Sequence, residues 1–203
     1  MLQLKVLTLL VFIAAYLIGS FPSAYLIAKF KGENIFDVGS GNMGAMNTAR
    51  NLGYGLGALV LLSDVGKGAL ATWLTLQVSS SDDLLPPLVA TVGVVAGHAW
   101  SLFTGFKGGK ALATGWGTTL VLYPLGGAVA IALLVLLSLT MKGRSNLAAV
   151  ITCVAFPIIV LVSSRLYFEQ LSQSIIAFLC ATVVAGIIIV KHWGPLIEER
   201  QTT

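Results

Sequence analysis

The sequence predicts an all-α fold, a polytopic bundle of helices in a membrane, and three observations predict it. Of 203 residues, 57% are hydrophobic and only 10% are charged, with a mean hydropathy of +0.92. Soluble domains carry roughly 25% charged residues, so this chain has too few to coat a water-facing surface. Apolar runs long enough to cross ~30 Å of hydrocarbon recur along the whole length. The basic residues, finally, fall unevenly on the connections between those runs. The expectation is one integral-membrane domain over residues 1–203, with a lipid bilayer as its main partner.

Seven spanning or near-spanning segments are expected, at about 4–28, 54–78, 86–103, 109–123, 125–141, 146–164 and 171–190. The first begins with apolar Leu2–Ile18, but Lys5 is the sole basic residue near its start and no A-x-A-like site follows, so a cleaved signal peptide is not expected. The fourth and fifth are short for a ~20-residue span and are separated only by "YPLGG". A tight hairpin that does not fully cross is the alternative, leaving five full spans. Cys153 and Cys180 fall inside apolar runs and read as small packing residues.

Orientation follows from charge. One set of connections holds Lys29, Lys31, Arg50, Lys107, Lys110, Lys142, Arg144, Lys191 and Arg200. The other holds Lys5 and Arg165, and Lys67 lies within a span. The positive-inside rule places the first set in the cytoplasm. The N-terminus is then outside and the C-terminus cytoplasmic, as seven spans require.

The unusual polar residues gather on that same side. "GSGNMGAMNTAR" carries glycines at 39, 41 and 44, which let backbone N–H groups converge on an anion. Ser40, Asn42 and Asn47 add donors, and Arg50 offers a bidentate fork for a phosphate. The plainer reading is a flexible loop running into a helix capped by Asn47 or Thr48. In "FKGGKALATG", Lys107 and Lys110 flank Gly108 and Gly109, so ammonium groups and backbone donors can face one anion. The run is no nucleotide loop of the Walker A kind, because the earlier glycine is missing and Ala111 stands where Ser or Thr would follow. Its plainer reading is a pair of lysines anchoring a helix end. His98 and His192 lack neighbouring carboxylates in sequence and make a poor metal set, so neither metal nor cofactor is expected. Either ring could orient a substrate or act as a base; each could equally be structural. Asp64 and Lys67, three apart in an apolar run, read first as an ion pair bracing the bundle. Trp73, Trp100, Trp116 and Trp193 read as an interfacial belt.

These residues carry a resemblance. "IGSFPSAYLIAK" at 18–29, "GSGNMGAMNTAR" at 39–50, "DVGKG" at 64–68, "GHAWSLFTGFKGGKALAT" at 97–114 and the late Lys191–His192 resemble the bacterial acyl-phosphate-dependent glycerol-3-phosphate acyltransferases of the PlsY type. The resemblance covers nearly the whole chain. It implies seven spans in the bacterial inner membrane with the active site on the cytoplasmic face. It implies acyl transfer from acyl-phosphate to the 1-hydroxyl of glycerol 3-phosphate, giving lysophosphatidic acid, with no cofactor, nucleic acid or obligatory protein partner. It implies that Ser40, Gly41, Asn42 and Gly44 cradle the donor's phosphate. Ser40, Arg50, Lys107, Gly108, Gly109, Lys110, Asn146 and His98 would bind substrate, and Asn47, Lys107 and His192 would align the reaction. The chain departs from that pattern at Met46, Ser101, Ala111, Asn146, Pro195 and Glu198. An acyltransferase with another polar acceptor, or a non-enzymatic binder or carrier of phosphorylated lipid, are the rival readings.

Overall fold

A computed structural model describes residues 2–79 and 83–201. The centre of the "SSSDDLLPP" connection, residues 80–82, lies outside the described residues. The described residues form nine α-helices and no strand: α1 Leu2–Ser20, α2 Ser23–Phe30, α3 Ala45–Leu52, α4 Tyr54–Val78, α5 Leu85–Ala99, α6 Leu112–Leu122, α7 Pro124–Thr140, α8 Ser145–Ser164 and α9 Leu171–Gln201. A single 3-10 turn covers Leu102–Thr104.

The segment expected at 4–28 is a broken span. α1 and α2 are parted at Phe21–Pro22, because proline supplies no N–H and crowds the preceding turn. The break leaves the Phe21 carbonyl without its helical donor, and Lys67 Nζ supplies one at 3.2 Å. Lys67 also sits 2.9 Å from Asp64 Oδ1. The expected ion pair is present, and it closes a helix break as well as balancing a charge.

Five stretches are long and apolar enough to cross a membrane: Val6–Phe30, Tyr54–Val78, Leu85–Thr104, Ser145–Ser164 and Leu171–Glu199. α6 and α7 are shorter. Only Tyr123 separates them, with φ −152° and ψ 73° turning the chain before Pro124. The turn packs at a definite depth. Tyr123 clusters with Leu88 at the start of α5 and Phe168 between α8 and α9, and the Leu125 N–H donates to the Tyr167 hydroxyl at 3.2 Å. The hairpin therefore reaches the level of the α8–α9 connection.

Packing depends on small residues, as expected where lipid gives no hydrophobic drive between helices. α1 lies against α5 so closely that a Cβ at Gly93 or Gly97 would run into the Phe12 or Tyr16 carbonyl. A Cβ at Gly68 of α4 would strike the Thr114 carbonyl of α6, and one at Gly117 would strike that of Val65. Larger apolar groups face outward: Val135, Leu136 and Leu139 on α7, Val154, Ile158 and Val162 on α8, and Leu179, Val183 and Val190 on α9 are exposed. Such a surface belongs in hydrocarbon.

α9 runs eleven residues past the expected end at 190, since it continues to Gln201. Pro195 removes one helical donor without ending the helix, and the good helix formers of "LIEERQ" follow it. This extension carries Glu198 and Glu199 to the cavity wall.

Candidate active site

The glycine loop ends at α3, a helix the sequence barely announces. It begins at Ala45 with Gly44 as N-cap, so neither Asn47 nor Thr48 is the cap. Asn47 lies inside the first turns and is buried. Its Nδ2 donates to the carbonyls of Val38 at 3.0 Å and Ile35 at 3.4 Å. Its Oδ1 accepts from the Ser40 N–H at 3.0 Å and from Asn51 Nδ2 at 2.9 Å. Every polar atom of the amide is thereby engaged in shaping the loop. Gly39 and Gly41 take φ of 57° and 63°, the left-handed region that glycine enters without cost. A Cβ on Gly39 would also collide with the Asn47 and Asn51 amides.

The segment after α5 folds back in two directions. Gly105 and Phe106, with φ of 64° and 62°, turn the chain outward. Lys107 is carried with them: its Nζ lies 5.7 Å over the Phe36 ring, in a shallow depression shared with Tyr25, Lys29 and Phe103. Gly108 and Gly109 turn back inward, and the Gly109 N–H donates to the His98 carbonyl at 3.0 Å. A Cβ at Gly109 would strike the His98 ring and the Met43 carbonyl, which fixes the choice of residue. His98 is buried, with Nδ1 3.5 Å from the same Asp64 oxygen that Lys67 approaches. Ser23 Oγ, 3.4 Å from that oxygen, links the group to α2.

These pieces surround one cavity of about 1180 Å3. Ser40, Gly41, Asn42, Gly44, Asn47, Arg50, His98, Gly108, Lys110, Asn146 and His192 all line it. The structure thus gathers from four separated segments nearly every residue singled out in sequence. It does not bring in Lys107, which faces the neighbouring depression, or Gly109, which is packed behind His98. The same cavity continues between α6, α7, α8 and α9, where Leu112, Ile131, Leu134, Phe156, Val184 and Ile188 line it. It is a space with polar donors at one end and an apolar slot at the other.

At the polar end, Lys110 Nζ donates to Asn146 Oδ1 at 2.6 Å. Partial burial pulls the Lys110 ammonium below its ordinary range, with the Glu199 and Glu198 carboxylates holding it up and Arg50 adding to the fall. His192 Nδ1 lies 2.8 Å from the Ile188 carbonyl. A carbonyl only accepts, so Nδ1 carries the hydrogen and Nε2 of the neutral ring is left as an acceptor.

Several further lining residues were not among those expected to bind substrate or align the reaction. Lys191 lines the cavity with its ammonium 5.8 Å over the Trp100 ring. Trp116, assigned to an interfacial belt, also lines it, and its buried indole N–H has no hydrogen-bond partner among the described residues. Glu199 lines it too. One signal existed for that last group: Ile188, His192, Pro195 and Glu199 recur at helical spacing. It was hidden by ending the helix at 190.

Comparison with known proteins agrees with this layout. A family model for glycerol-3-phosphate acyltransferase matches residues 9–199. A glycerol-3-phosphate acyltransferase of Desulforamulus reducens is 36% identical over 192 residues, covering 94% of this chain and 90% of the relative. One of Streptococcus equi subsp. equi is 37% identical over 194 residues, covering 95% and 89%. The crystal structure of PlsY (YgiH), an integral membrane glycerol 3-phosphate acyltransferase, in its glycerol 3-phosphate form superposes with a TM-score of 0.83 at 29% identity over 96% of this chain and 92% of the other. Its lysophosphatidic acid form gives 0.81 at 28% identity. With a match across almost its whole length and a cavity built from the motif residues, the chain belongs to the glycerol-3-phosphate acyltransferase family of integral membrane enzymes.

Proposed function

We propose that this enzyme moves a fatty acyl group from acyl-phosphate to the 1-hydroxyl of glycerol 3-phosphate, releasing inorganic phosphate and lysophosphatidic acid for phospholipid synthesis. The observation that carries the reading is the single cavity with phosphate donors at one end and an apolar slot at the other. The acyl chain lies in the slot between α6, α7, α8 and α9. The glycine loop, shaped by Asn47, presents N–H groups and Ser40 to the donor's phosphate. Arg50 and Lys110 hold the acceptor's phosphate, and Asn42, Gly44 and Gly108 complete the lining.

The acyl-phosphate is already activated, so the enzyme's work is to screen two anions and align hydroxyl with carbonyl. The hydroxyl oxygen forms the new ester bond to the carbonyl carbon, and the bond from that carbon to the phosphate oxygen breaks. His192 orients the hydroxyl through Nε2. The hydroxyl proton leaves with the departing phosphate. The basic residues on one set of connections support a site on the cytoplasmic face, in a chain of seven spans with the N-terminus outside, and the reading takes the membrane to be the bacterial inner membrane. No protein partner or cofactor enters this scheme.

Purified protein with palmitoyl-phosphate and glycerol 3-phosphate should yield lysophosphatidic acid by mass spectrometry. Absence of that product with an intact, folded sample sinks the reading. Arg50→Ala should lower kcat/KM by about 10- to 100-fold, the worth of one charge-assisted pair. A second reading, acyl transfer to a different polar acceptor, draws on Pro195 and Glu198 in the cavity wall. A panel of hydroxyl acceptors read by mass spectrometry separates the two.

A further inference from the structure

The Glu199 carboxylate stands at the end of α9 yet is bonded to the start of α8. Its Oε1 accepts from the Asn146 N–H at 3.0 Å, from Asn146 Nδ2 at 2.9 Å and from Ser145 Oγ at 3.4 Å, while Oε2 accepts from the Leu147 N–H at 3.2 Å. An acidic group at a helix start suits the helix dipole. The consequence for Asn146 is stricter. A carboxylate only accepts, so Asn146 must turn its NH2 toward Glu199. Its Oδ1 then faces the other way, where Lys110 Nζ donates to it at 2.6 Å. The Asn146 amide is thereby fixed at both ends, its oxygen on Lys110 and one N–H on Glu199.

We propose that Glu199 is a positioning residue for the acceptor's phosphate, acting through Asn146 on Lys110. This rests on the acyltransferase reading above. Glu199 sets which way the Asn146 amide points, and the amide holds one of the three ammonium hydrogens of Lys110. The other two remain for the phosphate oxygens. A bare lysine has a long, flexible stem; this one is tethered at its tip before substrate arrives. Lys110 is faced by Glu198, Glu199 and His192 from α9, by Arg50 from α3 and by Asn146 from α8.

The test compares wild type, Glu199→Ala and Glu199→Gln by steady-state kinetics, pH profile and calorimetric binding of glycerol 3-phosphate. Glu199→Ala should raise both KM and Kd for glycerol 3-phosphate about tenfold, as expected for loss of one well-placed charged contact, with kcat and the KM for acyl-phosphate nearly unchanged. Glu199→Gln retains an acceptor for Asn146 and should keep KM within about threefold. Because a neighbouring negative charge is gone, Lys110 should lose its proton at lower pH, so the alkaline limb of kcat/KM should move down. A folded Glu199→Ala enzyme with wild-type affinity for glycerol 3-phosphate overturns the proposal. So does tighter binding, which would mean that the carboxylate repels the phosphate. If Glu199→Ala does not fold, the Gln variant decides: an unmoved alkaline limb is the overturning result. Wild type that neither binds glycerol 3-phosphate nor acylates it sinks the acyltransferase reading itself, whereas active wild type with indifferent variants sinks only the role of Glu199.

Discussion

Ala111 takes φ of 63° as N-cap of α6, in a region where a Cβ is unwelcome. The backbone there holds a conformation that glycine enters without cost. Ala111→Gly should therefore be neutral to stabilising by up to about 1 kcal/mol, the left-handed penalty less the greater chain entropy of glycine; a lower melting temperature would refute this. Asn47 is the opposite case, a side chain whose every polar atom is used. Asn47→Ala removes the donor to the buried Ile35 carbonyl and the acceptor of the half-buried Ser40 N–H, costing about 1–3 kcal/mol, and should reduce activity more than tenfold through the disordered loop. Wild-type kcat/KM in that variant would remove Asn47 from the site's framework. Lys110, held below its ordinary range by burial, loses its charge earlier than a solvated lysine as pH rises. Glycerol 3-phosphate binding should weaken along that alkaline limb, and Lys110→Arg, always charged, should extend it to higher pH.

Helix contacts explain why so many glycines sit in a chain that is otherwise aliphatic. Gly93 and Gly97 let α5 approach the carbonyls of α1, and that approach places His98 one residue on, beneath the Gly108–Gly109 turn. Gly97→Leu should push α1 from α5, lower detergent-solubilised stability by several °C and remove activity together with it; a variant that keeps its melting temperature contradicts this packing. The break between α1 and α2 shows the same economy of polar groups. Lys67 and Asp64 looked in sequence like a bracing pair, and they are, but the brace also satisfies the Phe21 carbonyl and reaches His98. The length of the apolar runs located these helices. It was silent on the break, because a single Pro in an apolar run can kink, end or merely pass through a helix, as Pro22 and Pro195 each demonstrate.

Taken as a whole, the bundle is a shell of exposed Leu, Ile and Val around a cavity that reaches one set of connections. Seven spans and an outside N-terminus make a testable map. In a Cys153→Ala, Cys180→Ala background, a cysteine at exposed Lys142 should react with an impermeant maleimide only from the cytoplasm. Cysteines at exposed Leu125 and Gln170 should react only from outside. Labelling of position 125 from the cytoplasm would leave α6 and α7 as a hairpin that does not cross.

Composition and charge were enough to place this chain in a membrane, to locate most of its spans and to pick out the polar segments that meet at one cavity, because hydrocarbon admits few residues and the exceptions stand out. The motifs were enough to name a phosphate-handling family. Side-chain commitment was beyond them. That Asn47 serves the loop, that Lys107 points away while Lys110 points in, and that Glu199 holds Asn146 depend on left-handed turns at Phe106 and Ala111 and on an α9 long enough to reach α8. Local sequence cannot express such contacts, since a hydrogen bond between residues 53 apart exists only once the helices have packed.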